Sequence, residues 1–322
     1  MRQVRKPRGS KPIASKLLIE LLRHLIAPRF LMPRWGFDLR FVCRALRRQP
    51  GAIGVLLLAL VAWQGYEHGI ARPRLVYQGV PQLSDWRRVT SWFRVLRNDS
   101  FLVGYSDFRG TPLWVSYRVR PLPKNPPQLK RPNRFSSDWR ALHRVDHESY
   151  ARSGYDRGHL APNYAISRLY GETAQRETFL MTNIVPQKPK LNQQWWQRLE
   201  EVEIDHFAPL FGEVWVMTGP VFDEHFERLA TDWDVEIPDA FFKIFIAEPQ
   251  PGRIYALAFL VPQTVQGKEP LDRYVTSIDH IENLTGLDFF HQLEDQLEDQ
   301  IEAAIGPAPW RLPQVAKRPP RY

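Results

Sequence analysis

A mixed domain of strands and short helices, preceded by a basic arm and an apolar helix, is the architecture this sequence predicts. Three observations carry the prediction. From about residue 100 onward, short stretches with strand period alternate with stretches of helical spacing. Gly51 to Tyr66 is an uncharged run of sixteen residues. Residues 1–50 hold 13 Lys+Arg against 2 Asp+Glu, whereas the remaining 272 residues hold 31 against 33. The 43% hydrophobic and 12% aromatic content is that of a folding chain, and 322 residues suffice for one large domain or two ordinary ones. A single cysteine, Cys43, excludes an intrachain disulfide framework and a cysteine-rich zinc site.

Residues 1–50 read as a basic, proline-punctuated arm. Within it, Leu17, Leu18, Leu21, Leu22 and Leu25 fall at helical spacing in the stretch Lys16 to Ile26, which suits a membrane surface or a partner helix. Residues 51–67 are expected to form a transmembrane anchor. The apolar run spans about 24 Å at about 1.5 Å per residue, a little short of a ~30 Å bilayer core. Its flanks favour a membrane nonetheless: Arg44, Arg47 and Arg48 precede it, and Trp63 and Tyr66 close it as interfacial aromatics. This asymmetry puts the N-terminus in the cytoplasm and the rest of the chain on the periplasmic or extracellular side. A soluble chain after processing and a buried core helix are the alternatives.

Residues 68–99 read as a linker and residues 100–291 as the main domain. Leu113 to Val119 has strand period and β-forming residues. Pro121 to Pro132 is a proline-rich loop. Glu177 to Thr182 reads as a short strand, and Asn192 to Asp205 as a helix with Trp196, Leu199, Val202 and Glu203 close together on the wheel. Glu213 to Thr218 is a strand ending at Gly219-Pro220. Phe241 to Ala247 and Ile254 to Val261 form a strand pair around a turn at 249–252. In 292–322, an acidic helix from Gln292 to Ala304 leads into a proline-rich tail expected to fray.

Charge is polarised along the domain. Residues 72–135 carry 13 Lys+Arg against 3 acids, and residues 201–322 carry 9 against 22. A basic face opposite an acidic remainder suits a polyanion that must bind and then leave.

Two polar clusters carry the chemistry. The first is Asp156-Arg157-Gly158-His159. It supplies an imidazole that titrates near neutrality, flanking charge, and a glycine that lets a phosphate or a backbone come close. The second runs from Asn183 to Gln187 and from Asn192 to Glu200. Glu200 lies eight residues beyond Asn192, about two helical turns, so both side chains share one broad helix face. A histidine that deprotonates water and an asparagine carbonyl with nearby carboxylates around a hard divalent cation suit phosphodiester hydrolysis. Taken singly, each residue has a plainer reading: His159 as a core histidine, Asn192 as a helix N-cap, Glu200 as a solvated face residue. No Walker-type or dinucleotide glycine loop is present, and Ser153-Gly154 lacks a nucleophile-elbow setting.

Jointly, the motifs resemble the DNA/RNA non-specific endonuclease family, the endonuclease G-like group of ββα-metal (His-Me finger) nucleases. The resemblance rests on Ser153 to Pro162, Phe179 to Gln187, Leu191-Asn192 through Leu199-Glu200, Val216 to Phe222, Ile237-Pro238 leading to Phe242-Lys243, and Leu284 to Phe290. It implies an α+β fold, a central antiparallel sheet flanked by helices, with the histidine on a β-hairpin and the metal asparagine on the crossing helix. It implies His159 as general base and Asn192 as the protein ligand of one Mg²⁺, with Asp156 and Glu200 holding the metal's waters and Asn183 shaping the site. Mn²⁺ is as acceptable to oxygen ligands. An upstream phosphate-binding arginine is implied too: Arg131 fits the spacing best and Arg134 is the alternative, with Arg157 also expected at the substrate. DNA and RNA are the implied substrates. Oligomeric state, a homodimer included, stays open.

Overall fold

The computed structural model describes residues 50–319. The amphipathic stretch expected at Lys16 to Ile26 lies outside them. The chain divides into two units, Met1–Glu67 and His68–Tyr322.

Among the described residues of the first unit a helix, α1, spans Pro50–Tyr66. It is apolar all round, and Leu57, Leu58, Leu60, Val61 and Trp63 are exposed. Among the described residues no helix is long and apolar enough to cross a membrane. The transmembrane anchor expected at 51–67 is therefore not supported. At 17 residues α1 extends about 26 Å, and the chain beyond it turns into a π-helical segment, Glu67–Ala71, that begins with a charge.

The second unit is built on a seven-stranded antiparallel sheet. In chain order its strands and those of a separate hairpin are β1 (Arg94–Arg97), β2 (Phe101–Ser106), β3 (Thr111–Val119), β4 (Asp156–His159), β5 (Ile184–Gln187), β6 (Val214–Val221), β7 (Ala240–Gln250), β8 (Arg253–Pro262) and β9 (Val275–Thr276). The order across the sheet is β9-β8-β7-β6-β3-β2-β1, and β4 pairs with β5 outside it. Between β3 and β6, neighbours in the sheet, the chain inserts that hairpin and the helices α2 (Asn163–Tyr170) and α3 (Glu172–Thr178). A long helical stretch then follows, Leu191–Trp196 and Glu203–Phe207 in π-helical turns, Gln197–Val202 and Ala208–Phe211 in α-helical ones, which we call α4. Two further helices complete the unit, α5 (Ile278–Thr285) and α6 (Asp295–Ala303).

Both faces of the sheet are covered, so its central strands read as nearly unbroken apolar runs. The period of two still sorts them. Val115, Tyr117, Val216, Phe241 and Phe245 face a core that contains Trp195, Trp196 and Leu199 of α4. Leu102, Trp114, Met217, Phe242, Ile244 and Ile246 face a second core with Ile278 and Ile281 of α5. A charged residue breaks the rule on the first face: Lys243, fully buried and in register with Thr218 of β6.

Several expectations need correction. Glu177 to Thr182 is not a strand. α3 runs to Thr178 and a 3₁₀ turn, Met181–Asn183, follows, because Thr178 Oγ1 bonds back to the Gln175 carbonyl at 2.7 Å and favours a helical end. β6 does not stop before Gly219-Pro220 but continues through them to Val221, since Gly219 lets Leu113 O approach and Pro220 still fits the register opposite Phe241. The segment read as a linker is folded: Val76 and Tyr77 are buried, Gln82–Leu83 pairs with Leu287–Asp288, and β1 closes one sheet edge. The tail read as frayed packs on the first core. Trp310 is fully buried against Phe207 and Phe211, with its Nε1 donating to the Ala256 carbonyl. The aromatic area it buries outweighs the ordering of the prolines around it.

Candidate active site

The site is framed by the β4–β5 hairpin and α4. Asp156 pairs with Gln187 and His159 with Ile184. Gly158 is required by contact: a Cβ there would lie 2.1 Å from Gln187 Oε1. Gln263, past the end of β8, braces β5 by accepting from Lys188 N at 2.8 Å and donating to the Pro186 carbonyl at 2.9 Å. The chain then enters α4 directly.

Asp156 and Asn192, 36 residues apart, meet here. Asn192 Nδ2 donates to Asp156 Oδ2 at 2.9 Å, and Gln193 Nε2 donates to the same oxygen at 2.8 Å. Asn192 sits inside the helical stretch, not at its N-cap, which is Lys190. With its amide nitrogen committed to Asp156, its carbonyl oxygen is the donor left for a ligand.

His159 is wedged between Phe135 and Phe179, with ring centroids 5.3 Å and 5.0 Å away. Its Nε2 is buried and has no hydrogen-bond partner. Burial, reinforced by the Arg131 guanidinium, pushes the imidazole down to about 3, so it is neutral at physiological pH. The loop carrying Phe135 and Arg131 is docked by Ser136, whose N donates to Phe179 O and whose O accepts from Met181 N, both at 2.9 Å. Arg131 lies over the Phe179 ring, 4.9 Å from its centroid, and its charge acts on both His159 and Glu200.

The other expected residues are placed differently. Arg134 faces solvent and pairs with Glu148 at 3.1 Å, so of the two upstream arginines Arg131 is the one at the site. Arg157 is held by structure: its Nε donates to the His147 carbonyl at 3.0 Å and Nη2 bonds the same oxygen, so the guanidinium fixes the 147 loop to β4. Asn183 is fully buried. Its Oδ1 accepts from Ala161 N, and its Nδ2 donates to the Ala161 and Thr178 carbonyls. It is a positioning residue that clamps the backbone just after His159.

Glu200 lies farther along α4, next to charges of both signs. Burial pushes its carboxyl up to about 7; the Lys243 ammonium pulls it down and Glu203 pushes it up again. Between about 4.5 and about 7 the folded chain therefore binds the extra proton, and stability is lost as pH rises through that window. In EDTA, Glu200→Gln is expected to melt several degrees above the wild type at pH 8 and level with it at pH 4, by differential scanning calorimetry. A difference that does not change with pH would contradict the environment described.

Residues 90–296 match the family described as DNA/RNA non-specific endonuclease. The chain belongs to that family. It is accordingly a nuclease, a hydrolase. It is 31% identical over 203 residues to mitochondrial endonuclease G of Homo sapiens, covering 59% of this chain and 67% of that protein. It is 28% identical over 214 residues to mitochondrial nuclease EXOG of Danio rerio, covering 61% and 60%. Its fold is similar to that of a chain in the crystal structure of the EndoG/EndoGI complex, with a TM-score of 0.56 at 23% identity, covering 63% of this chain and 88% of that one.

In this nuclease a charge network lies buried beneath α4, and none of its members is among the site residues expected from sequence. Lys243 Nζ lies 3.3 Å from Glu203 Oε2 and 3.2 Å from Tyr117 Oη, and Tyr117 Oη donates to Glu203 Oε2 at 2.9 Å. The ammonium also sits 4.8 Å from the Trp196 ring centroid. The signal was present: a lysine inside Phe241-Phe242-Lys243-Ile244-Phe245 has no reason to be there unless a buried acid answers it.

Proposed function

We propose that this nuclease hydrolyses phosphodiester bonds of both DNA and RNA without strong sequence preference, with His159 as general base. The observation that carries the reading is the combination, on β4, α4 and the loop before them, of a neutral imidazole with a buried, unpaired Nε2, an asparagine carbonyl oxygen left free by the Asp156 contact, and the Arg131 guanidinium that acts on His159. The oxygen donors Asn192, Asp156 and Glu200 fit a hard divalent cation, Mg²⁺ or Mn²⁺, with Asn192 as direct ligand and the carboxylates holding its waters. When bound, such an ion supplies positive charge for the phosphoryl oxygens and the leaving oxygen.

The chain's own residues do the rest. The unpaired Nε2 of His159 takes the proton of the attacking water. The low basicity of the free imidazole rises when an anionic phosphate arrives, because the phosphate offsets the Arg131 charge that disfavours protonation. Arg131 binds a non-bridging oxygen and stabilises charge that grows in the transition state. Arg131→Ala is expected to lower kcat/KM on plasmid DNA about 10²–10³-fold, while Arg134→Ala, paired out in solvent, stays near wild type. Equal losses in the two variants would remove Arg131 from this role.

The experiment that tests the function is degradation of plasmid DNA and of RNA by the full-length protein with Mg²⁺ and after EDTA. Loss of both substrates with Mg²⁺ and of neither in EDTA is expected. Tight DNA binding with no turnover in Mg²⁺ or Mn²⁺ would favour a non-catalytic binding domain. Cleavage of a dinucleotide in preference to plasmid would favour a small-nucleotide phosphodiesterase.

For localisation we propose the periplasmic or extracellular side, a reading that rests on the sequence charge asymmetry of Arg44, Arg47 and Arg48 ahead of the apolar run 51–66 and not on a spanning helix, which the described residues do not contain. Protease added to intact cells should then reach the nuclease, and protection would contradict the placement.

A further inference from the structure

We propose that the nuclease carries a second cation site, remote from the nuclease site, in which Asp279, Glu282 and Glu302 bind one hard divalent cation that ties α6 to α5. Among the described residues these three carboxylates each offer an oxygen, and the three oxygens lie within 4.8 Å of one another. Asp279 and Glu282 stand three residues apart on α5 and so share a face, while Glu302 projects from the last turn of α6. The two helices are held together by Ile281, Leu284, Leu297 and Ile301 on the second core, across the sheet from the core that contains α4.

An independent observation points to a ligand. Glu302 is only 6% exposed, and its Oε1 is buried with no hydrogen-bond partner. A buried carboxylate oxygen without a donor costs several kcal/mol of solvation unless something positive meets it. The neighbours that act most strongly on Glu302 make the position worse: Glu282, Glu298, Asp279 and Asp288 are all acidic. Its place at a helix C-terminus, where the dipole disfavours negative charge, adds to the cost. One divalent ion would meet the buried Glu302 oxygen and offset the like charge gathered by the three carboxylates.

The donor chemistry selects the ion class. Three carboxylates and no imidazole or thiolate suit a hard cation, and carboxylates from two separate helices suit the irregular, expandable shell of Ca²⁺ better than the strict octahedron of Mg²⁺. Glu282 is already oriented, accepting from Phe289 N at 2.6 Å. Ser277 caps α5 at its N-terminus through the His280 N–H, which fixes the turn that carries Asp279.

The test uses the full-length protein, stripped with EDTA and dialysed, titrated with Ca²⁺ by calorimetry and melted with and without it. Wild type should bind one more equivalent of Ca²⁺ than Glu302→Gln and gain a Ca²⁺-dependent rise in Tm that Glu302→Gln lacks, while Glu302→Gln keeps wild-type nuclease activity in Mg²⁺. Asp279→Asn, at a partly exposed position, should lose the same equivalent and guards against a folding defect in the first variant. Equal stoichiometry in wild type and both variants, or a Ca²⁺-dependent rise in Tm of the same size in all three, would overturn the proposal. These readouts do not depend on nuclease turnover, so failure here leaves the nuclease reading untouched.

Discussion

Replacing Lys243 by Met is expected to destabilise the nuclease by about 3–5 kcal/mol at pH 8, the cost of leaving a buried carboxylate without its counter-charge. Lys243 and Glu203 are both completely buried, and the ammonium is shared among Glu203, Tyr117 Oη and the Trp196 face. Burial already raises the Glu203 carboxyl, and Lys243 is the first influence that lowers it. Without the ammonium Glu203 keeps its proton to higher pH, so above the ordinary carboxylate range the folded chain holds a proton that the unfolded chain has already released. The cost must then grow as pH rises and shrink toward pH 5. The double variant Lys243→Met with Glu203→Gln should recover much of the loss, because the uncompensated charge is gone. Denaturant unfolding of the two single variants and the double variant at pH 5 and pH 8 measures this. A double variant no more stable than the sum of the singles would contradict the pairing.

The same substitution reaches the site. Lys243 is the strongest influence holding Glu200 down, so its loss leaves Glu200 more fully protonated at neutral pH. A protonated Glu200 holds a cation's waters poorly. Lys243→Met should therefore need more Mg²⁺ for half-maximal activity than the wild type, an effect separable from stability by assay well below the melting temperature. Stability under the sheet and charge at the site are thus two readings of one buried lysine.

How much of this was legible in the sequence depends on the range of each interaction. The Asn192–Glu200 relation is local, eight residues along α4, and sequence spacing brings it forward, but the π-helical turn at Leu191–Trp196 departs from the 3.6-residue period on which that reading rests. The Asp156–Asn192 hydrogen bond spans 36 residues and rests on the β4–β5 pairing, which no local pattern announces; the family motifs supplied it. What brings Arg131 rather than Arg134 near His159 is the docking of Ser136 on Phe179 and Met181, a tertiary event. Arg157 stands two residues before His159 on the same strand, and its bond to the His147 carbonyl is a tertiary contact that no local pattern announces. The proline-rich tail misled for a related reason: composition suggested fraying, while one residue, Trp310, fits a hole among Phe207, Phe211 and Phe245. Lys243 was legible in principle, as a charge inside an apolar strand, but its answering acid lies 40 residues upstream.

His159→Ala carries the largest expected effect on function. The imidazole is held at one angle by Phe135 and Phe179, its following backbone is clamped by Asn183, and burial keeps it neutral. Removing it deletes the proposed proton acceptor while leaving the Asn192–Asp156 contact and Arg131 in place. The fold should tolerate the change. Because the folded imidazole resists protonation while the unfolded one titrates near 6.5, His159 costs the native state stability as pH falls from about 6.5 toward about 3, and the variant should be less acid-sensitive than the wild type in that window. Lost activity with a preserved or acid-hardened fold is a signature that mere unfolding does not produce.

The most direct measurement compares initial rates of plasmid DNA and RNA cleavage by wild type and His159→Ala, each with Mg²⁺ and with EDTA, alongside their melting temperatures at pH 7. The expected result is cleavage of both substrates by wild type only when Mg²⁺ is present, and a rate about 10²–10⁴-fold lower for His159→Ala at an unchanged Tm. Undiminished cleavage by His159→Ala, or wild-type cleavage that persists in EDTA, would contradict the account.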